Sequence, residues 1–363
     1  MIKRIVVLVF ALLALTAVIF YMKNDVKSAD PAISNSIAPS PSLSPAPTLP
    51  PLPTTKILKN DYQVFQTFNN CGPAALSMAL SYYGIHKTQA ELGHELRPVQ
   101  NPKGINDDKS VAMDELADKA KEYNLIPFHQ PNGNIELLKQ FINNDMPVIT
   151  QTTLLKNDDI GHYRVTKGYD DAASELIQDD SMQGHNLRYS YSLFNVLWQR
   201  FNYEYLVLVP PEKEQIAKAI LGEDVNLDKA WSQAVLTSQK NIADNPSDIS
   251  AHFNLSIALY HTGDFTQAAA EFEKIQSKLS FRTLWYQTEP IQAYFKLGKY
   301  DKVLAMISKI FSDGNPAFSE LYIIRGQVYK ARGDLVSAKK EFAKAVFYNK
   351  NLKATQDALL SMQ

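Results

Sequence analysis

The chain has 363 residues and a formal net charge of −1. It is long enough for two domains with their own cores, and its balanced charge excludes the basic footprint of a nucleic-acid-binding protein. A single cysteine excludes an intramolecular disulfide, and seven scattered histidines without a paired cysteine motif argue against a structural zinc site. We therefore expect neither a metal nor a cofactor.

Residues 1–27 are predicted to form a signal anchor. An uncharged run of 18 residues, 5–22, follows Lys3 and Arg4, and a run of this length can span a bilayer. The two positive charges predict that the N-terminus is cytoplasmic and that the rest of the chain lies outside. We expect a single-pass protein of the cell membrane, or a secreted one if this segment is cleaved.

Residues 28–57 are predicted to be a linker. The segment is rich in proline, serine, alanine and threonine, with prolines at positions 31, 39, 41, 45, 47, 50, 51 and 53. Such a composition cannot build a core and favours extended polyproline conformations. It predicts a semi-rigid spacer between the membrane and a folded domain.

Residues 58–211 are predicted to form an α+β domain with an antiparallel sheet. Helices are expected at 72–83, 88–96, 111–123 and 134–144, and strands at 148–150, 162–169 and 175–178. A short helix at 190–201 precedes a last strand at 205–209. Helices first and strands afterwards is typical of an α+β fold.

Residues 247–363 contain a helical repeat, preceded at 212–246 by a helical connector or a degenerate repeat. Gly263, Gly298 and Gly333 are spaced 35 residues apart, each at a predicted turn between two helices. This spacing resembles the tetratricopeptide repeat. Stacked helix pairs form a concave groove that usually binds a peptide or protein partner. The alternative is a solenoid that only supports or dimerises the preceding domain.

Cys71 is the candidate nucleophile. The sequence Cys71-Gly72-Pro73 opens a predicted helix, and proline suits the first turn because its missing N–H is not needed there. The unpaired amides and the positive dipole end of a helix lower the pKa of a thiol, and the thiolate is the reactive form. The alternative is a buried cysteine that behaves as a small hydrophobic residue.

A base and a group that orients it are expected from the strands. His162 opens one predicted strand and Asp179 ends the next, so two adjacent antiparallel strands could place them together. Asp179 would then fix the tautomer of His162 through its Nδ1–H. His185 is a second candidate base, in a segment that we expect to lie beyond the sheet strands.

These motifs resemble a known family. Cys71-Gly72-Pro73, Gly161-His162-Tyr163, Gly168-Tyr169-Asp170 and Gln178-Asp179 occur in the order found in bacteriocin-processing, double-glycine-type cysteine peptidases and their stand-alone relatives. These enzymes belong to the papain-like superfamily, and the resemblance covers about residues 60–210. It implies an α+β papain-like domain with a Cys–His–Asp triad, here Cys71, His162 and Asp179.

The resemblance also implies an oxyanion hole formed by the backbone N–H of Cys71 and an upstream glutamine. Gln66 is the expected residue and Gln63 the reserve. Asp180 stands where the family commonly has proline, so either Asp179 or Asp180 could face the histidine, with strand register favouring Asp179.

The sequence therefore predicts a membrane-anchored extracytoplasmic cysteine peptidase. Its partners would be a peptide or protein substrate, a protein bound by the repeats and the membrane, but no nucleic acid. One alternative is a catalytically inactive papain-like module that binds peptides or proteins. Another is a thiol amidase or acyltransferase on the same fold, since the fold does not fix the acceptor.

Overall fold

The computed structural model describes residues 49–99 and 111–362. The predicted signal anchor and the first part of the linker lie outside these ranges. Within them, no helix is both long and apolar enough to cross a membrane.

Seven antiparallel strands form one sheet in the described part of the chain. They are β1 (Thr55–Ile57), β2 (Ile126–Gln130), β3 (Val148–Thr153), β4 (Gly161–Asp170), β5 (Glu175–Asp180), β6 (Gly184–Ser190) and β7 (Tyr205–Val209). Their order is β2-β7-β3-β4-β5-β6, and β1 pairs with the end of β4. The predicted antiparallel sheet is confirmed, whereas β1, β2 and β6 were not among the predicted strands.

The described residues between β1 and the 3₁₀ turn at 211–213 also form five α-helices. They are α1 (Cys71–Ser81), α2 (Gln89–Leu96), α3 (Met113–Lys121), α4 (Ile135–Asn143) and α5 (Tyr191–Gln199). Successive residues of β7 face opposite sides of the sheet. Leu206 and Leu208 pack with α1 in one apolar core, whereas Val207 and Val209 pack with α4 and α5 in another. All five predicted helices of this part of the chain are thus present, with ends shifted by one or two residues.

Helix α1 lies at the centre of the apolar core that includes Leu206 and Leu208. Its residues from Cys71 to Leu80 are all buried, and they include helix-favouring alanine, leucine and methionine. Gly84 follows with a φ of +71° and lets the chain turn away. Shortening a fully buried side chain such as Leu76 to alanine would cost about 2–5 kcal/mol. The helix that carries Cys71 is therefore held firmly on the sheet.

The hairpin of β4 and β5 contains a register shift. Asp170 pairs with Glu175 and Gly168 with Ile177, but Thr166 pairs with Gln178, so Lys167 is an extra residue on β4. Relative to an unbroken pairing, such a bulge in β4 moves the residues of β5 from Gln178 onward to the opposite face of the sheet. The shift decides which aspartate of β5 lies on the same face of the sheet as His162.

The rest of the chain is helical. Its helices are α6 (Glu214–Leu221), α7 (Leu227–Asp244), α8 (Ile249–His261), α9 (Phe265–Ile275), α10 (Thr283–Tyr286), α11 (Glu289–Lys296), α12 (Tyr300–Ser312), α13 (Ser319–Ala331), α14 (Leu335–Tyr348) and α15 (Lys353–Leu360), with 3₁₀ turns at Pro211–Lys213, Gly222–Val225 and Gln276–Lys278.

The repeat predicted from glycine spacing is present in these helices. Gly263, Gly298 and Gly333 all have positive φ, between 69° and 86°, at the turns within the pairs α8–α9, α11–α12 and α13–α14. A glycine adopts this conformation without steric cost, which explains its recurrence at each turn. One apolar core runs through the first two pairs into α13, as expected for a stack of repeats.

Both ends of the repeat stack contact the sheet domain. On α8, the Asn254 amide donates to the backbone oxygen of Gln199 at 2.6 Å. Beyond α14, Asn349 and Asn351 donate to the backbone oxygens of Leu96 and Glu95 at 3.0 and 2.8 Å, at the end of α2. These last bonds satisfy carbonyls that a helix C-terminus leaves without internal partners.

Candidate active site

Cys71 is the first residue of α1, as predicted. Asn70 precedes the helix and its backbone oxygen accepts the first helical bond, from the Ala74 amide at 2.9 Å. The preceding residue, Asn69, has a φ of +60°, a left-handed conformation that asparagine tolerates better than most residues. This tight lead-in places the Cys71 sulfur at the helix end, where backbone amides are unpaired.

His162 is the second residue of β4 and is buried against Cys71. His162 and Cys71 line the same cavity, and Nε2 of His162 lies 2.9 Å from Oδ1 of Asp180. Because Nε2 faces the carboxylate, Nδ1 is the nitrogen available to the sulfur. The prediction that Nδ1–H of His162 contacts the carboxylate is therefore wrong, because the carboxylate contacts Nε2 instead. A carboxylate does orient this histidine, as predicted.

Asp180 is held on several sides. Its Oδ1 also accepts hydrogen bonds from the backbone amides of Met182 and Gln183, at 2.7 and 2.9 Å. Its Oδ2 lies 2.7 Å from Nε of Arg164, whose guanidinium is fully buried. Burial raises the pKa of Asp180, but the His162 hydrogen bond, the charges of His162 and Arg164 and the Met182 amide lower it to about 2. These contacts hold the Asp180 carboxylate in place, and its lowered pKa keeps it ionised at neutral pH.

The prediction of Asp179 as the orienting residue is wrong. Asp179 lies 2.8 Å from Nζ of Lys167 and 2.8 Å from Nδ1 of His185, and it accepts from the Tyr82 hydroxyl at 3.4 Å. The bulge at Lys167 is the reason, since an unbroken register would have put Asp179 opposite Thr166, on the face shared by His162. With the bulge, Asp180 takes that face, opposite Arg164.

His185 lies with Asp179 rather than with Cys71. It is on β6, an edge strand, so the expectation that it lies beyond the sheet is also wrong. It therefore does not compete with His162 as a base for this thiol.

The electrostatics of Cys71 and His162 favour a thiolate–imidazolium pair. Burial raises the pKa of the Cys71 thiol, but the hydrogen bond and positive charge of His162 outweigh it. The Tyr163 backbone amide and the charge of Arg97 act in the same direction, so the pKa lies below its ordinary value. Burial lowers the pKa of His162, but Asp180 and Cys71 raise it above its ordinary value.

Gln66 and Gln63 take different positions. Gln66 lines the cavity that contains Cys71 and His162. Its Oε1 accepts from the Ser181 hydroxyl at 2.7 Å, so Nε2 is the end of the amide that can donate to an oxyanion. Gln63 instead donates to the backbone oxygen of Asp180 at 2.9 Å. Gln66 remains the candidate oxyanion donor because it lines the cavity, whereas Gln63 contacts the backbone of β5.

A cavity of about 560 Å³ lies over the sulfur. Its size is in the range of sites that bind small ligands or short segments of larger ones. Three large apolar side chains at its edge are exposed, namely Phe65 by 65%, Phe68 by 45% and Met182 by 50%. The entrance therefore offers apolar surface next to the thiol.

The repeat region also contributes to this cavity, which the sequence did not predict. Arg282 and Tyr286, on or next to α10, line it together with Cys71. Arg282 forms an ion pair with Asp159 at 2.7 Å, and the Tyr286 ring packs edge-on against Phe201, 5.8 Å between centroids. Burial of the Tyr286 hydroxyl raises its pKa to about 12, so it is a neutral phenol at physiological pH.

Part of the chain matches a known family. Residues 57–206 match the model of the Peptidase_C39 like family. A putative C39-like peptidase from Bacillus anthracis is 20% identical over 43% of this chain and 97% of its own length, with a TM-score of 0.37. The peptidase domain of Streptococcus ComA, a bi-functional ABC transporter involved in a quorum-sensing pathway, is 23% identical over 40% and 96%, with a TM-score of 0.32.

Repeat proteins are also among the similar structures. A thermophilic TPR protein from Thermus thermophilus is 17% identical over 37% of this chain and 75% of that chain, with a TM-score of 0.31. No curated protein matches the sequence significantly. Residues 57–206, which include Cys71 and His162, thus match the Peptidase_C39 like family, and helices with the turn spacing of tetratricopeptide repeats follow them.

Proposed function

We propose that the protein is a cysteine peptidase in which Cys71 is the nucleophile, His162 the base and acid, and Asp180 the orienting carboxylate. The observation that carries the proposal is that Cys71 and His162 line one cavity while Nε2 of His162 lies 2.9 Å from Oδ1 of the Asp180 carboxylate. A nucleophile, a base and a third group that orients the base are the parts that thiol catalysis requires.

The first half-reaction would form a thioester. The Cys71 thiolate attacks the carbonyl carbon of the scissile amide, and the developing oxyanion receives hydrogen bonds from the Cys71 backbone N–H and Nε2 of Gln66. His162, already protonated in the ion pair, donates its proton to the leaving nitrogen as the C–N bond breaks. The amine product then departs.

Water completes the cycle. His162, now neutral, takes a proton from a water molecule whose oxygen attacks the thioester. The C–S bond breaks, the carboxylic acid is released and the thiolate returns beside the imidazolium. Asp180 stays ionised throughout, because its pKa of about 2 lies far below physiological pH.

The cavity supports a peptide as the substrate. Phe65, Phe68 and Met182 give an apolar edge that would receive an apolar side chain next to the scissile bond. The adjoining repeats add the kind of stacked helical surface that binds extended segments of other proteins. Both features suit a polypeptide better than a small amide.

We propose that the protein acts outside the cytoplasm while attached to the membrane. Its support is the uncharged run at 5–22 after Lys3 and Arg4. Fractionation of cells that produce the full chain would test it: the protein should stay with the membranes after a high-salt wash, and deletion of 5–22 should abolish this. Recovery of the full chain in the soluble fraction would contradict membrane attachment.

The chemistry is tested by labelling Cys71 with iodoacetamide as a function of pH. Because the chain has one cysteine, every labelled thiol is Cys71. An unperturbed thiol reacts with a pKa of about 8.5. We expect fast labelling already at about pH 6, lost in His162→Ala. Labelling that rises only near the ordinary thiol pKa, equally in both proteins, would contradict the peptidase and leave a binding module.

Cleavage itself is the second measurement. A mixture of unrelated denatured proteins incubated with the full chain should give new peptide termini, detected by mass spectrometry, and Cys71→Ala should give none. A reactive thiol without new termini, but with transfer of acyl groups to added amines, would instead indicate the transferase alternative.

A further inference from the structure

Gln66, the candidate oxyanion donor, is held by the turn that follows β5. Its backbone N–H donates to the backbone oxygen of Ser181 at 2.9 Å, and its side-chain Oε1 accepts from the Ser181 hydroxyl at 2.7 Å. Ser181 directly follows Asp180 and is only 1% exposed. One residue therefore contacts both the backbone of Gln66 and the end of its amide.

The orientation of this amide matters because its two ends have opposite hydrogen-bonding roles. Nε2 is a donor and Oε1 an acceptor, so Gln66 can stabilise an oxyanion only with Nε2 turned towards it. Within the described residues, Oε1 of Gln66 is the one hydrogen-bond partner of the Ser181 hydroxyl. A half-turn of the amide would replace Oε1 by the donor Nε2 and leave a buried O–H without an acceptor, which is costly. Ser181 therefore favours the orientation that an oxyanion requires.

Gln89, the first residue of α2, holds the chain on both sides of Gln66. Its Nε2 donates to the backbone oxygen of Phe65 at 2.6 Å, and its Oε1 accepts from the backbone amide of Thr67 at 2.9 Å. The backbone bonds of residues 65–67 therefore alternate between Gln89 on one side and Ser181 on the other, as they do in a strand that has two neighbours. This short segment of the cavity wall is held from two directions.

We propose that Ser181 and Gln89 are positioning residues of the oxyanion hole. Ser181 keeps Nε2 of Gln66 turned towards the oxyanion, and Gln89 keeps the backbone of Gln66 in place beside Cys71. Each acts through Gln66 rather than on the substrate. The inference rests on the proposed function for the role of Gln66 as the oxyanion donor.

Two small reagents measure the oxyanion contact without a peptide substrate. Iodoacetamide alkylates the Cys71 thiolate by displacing iodide, and no oxyanion forms. With para-nitrophenyl acetate, the sulfur attacks the carbonyl carbon, the carbonyl oxygen carries the negative charge, and the C–O bond then breaks to release para-nitrophenolate. The ratio of the acylation rate to the alkylation rate, each corrected with Cys71→Ala, therefore reports stabilisation of the oxyanion rather than reactivity of the thiol.

Ser181→Ala and Gln89→Ala should each lower this ratio about fivefold, the scale of one lost hydrogen bond. Gln66→Ala should lower it at least as much. Ser181→Thr keeps the hydroxyl and should restore most of the ratio. The matched control is Ser256→Ala on α8, because Ser256 is also a buried serine, whose hydroxyl donates to the backbone oxygen of Ala268 at 2.7 Å. It does not line the cavity over the thiol, so its loss should leave the ratio unchanged.

Double variants decide whether the two residues act through Gln66. In a protein that carries Gln66→Ala, neither Ser181→Ala nor Gln89→Ala should lower the ratio further. Ratios that do not fall in the single variants, or that fall equally with and without Gln66, would overturn the proposal. It would also be overturned if the ester acylated the natural sequence no faster than Cys71→Ala.

These rates do not depend on the cleavage experiment. If no peptide is cleaved but the ratio falls as expected, the peptidase is contradicted and the oxyanion contact serves another acyl transfer. If peptides are cleaved but the ratio does not change, the peptidase stands and the roles of Ser181 and Gln89 are wrong. The two proposals therefore fail separately.

Discussion

The Tyr286 ring lies against Gly161, the residue that precedes the candidate base His162. A Cβ atom on residue 161 would sit 2.9 Å from Cε1 of Tyr286 and 3.0 Å from the Phe201 ring. Side chains essentially never approach this closely, so the packing requires glycine. A residue of the repeat region therefore packs closely against the strand that carries His162, the candidate base.

Gly161→Ala should lower the free energy of unfolding by about 1–3 kcal/mol, the usual cost of overpacking a filled site. The added methyl group would push Tyr286 and Phe201 away from β4. Urea unfolding of the full chain, followed by tryptophan fluorescence, measures the loss.

The double variant Gly161→Ala, Tyr286→Ala is the control. If the methyl group acts through Tyr286, the two substitutions should cost less together than the sum of their separate effects. Strict additivity would contradict a direct contact between the two positions.

Asp180→Asn should shift the labelling of Cys71 to higher pH. Removing the carboxylate lowers the pKa of His162, so the imidazolium that stabilises the thiolate is present over a narrower range. Iodoacetamide labelling as a function of pH measures the shift.

Asp179→Asn is the matched control for this variant. The two aspartates are neighbours on β5, and each is a buried carboxylate paired with a buried cation. The partner of Asp179 is Lys167, whereas the partner of Asp180 is Arg164. Both substitutions should cost stability, about 3–5 kcal/mol as for other broken buried pairs, so folding is checked by circular dichroism at the labelling temperature. An equal pH shift in both variants would contradict the assignment of Asp180.

Gln66→Ala should reduce kcat about 10²–10³-fold, the usual effect of removing one oxyanion donor. The thiol pKa should change little, because Gln66 is not among the groups that shift it. A peptide released in the cleavage experiment, resynthesised with its flanking residues, serves as substrate for the kinetics.

Gln63→Ala gives the comparison. Gln63 donates to the backbone of Asp180 but does not line the cavity, so its loss should lower stability more than kcat in the folded protein. The reverse pattern, with Gln63→Ala more damaging to kcat than Gln66→Ala, would assign the oxyanion contact to Gln63.

The stability of the domain should fall in acid as Asp180 takes up a proton. The folded pKa is about 2, whereas an unfolded aspartate has a pKa of about 3.9. The pair with His162 and Arg164 thus contributes fully above about pH 4 and is lost as the pH falls through about 2, a change of roughly 2.6 kcal/mol.

Urea unfolding between these pH values measures this change. The free energy of unfolding of the natural sequence should fall towards low pH more steeply than that of Asp180→Asn, which lacks the titrating group. Parallel curves for the two proteins would contradict the lowered pKa of Asp180.

Local sequence patterns predicted much of this molecule. Pro73 and the alanine-rich run after Cys71 define α1 by short-range rules, and the recurring glycines mark turns that only their conformation permits. The fold class followed from the order of helices and strands. These features depend on neighbours in sequence, which a single chain displays directly.

Other features depend on contacts between distant residues. The choice between Asp179 and Asp180 is decided by the single extra residue Lys167 in β4. The neighbouring Gly168 permits a bulge but does not fix the register of the strands. The place of Tyr286 beside Gly161 joins two parts of the chain that share no motif. Only the tertiary structure brings such residues together.

The attachment of the repeat stack at both ends has a consequence for its unfolding. A free solenoid frays from its terminal repeats, since each of these has a neighbour on one side only. Here Asn254 near the start and Asn349 near the end are bonded to the sheet domain, which acts as a neighbour for both. The stack should therefore lose its gradual, repeat-by-repeat melting, and hydrogen exchange in α8 and α14 should be as slow as in the central helices.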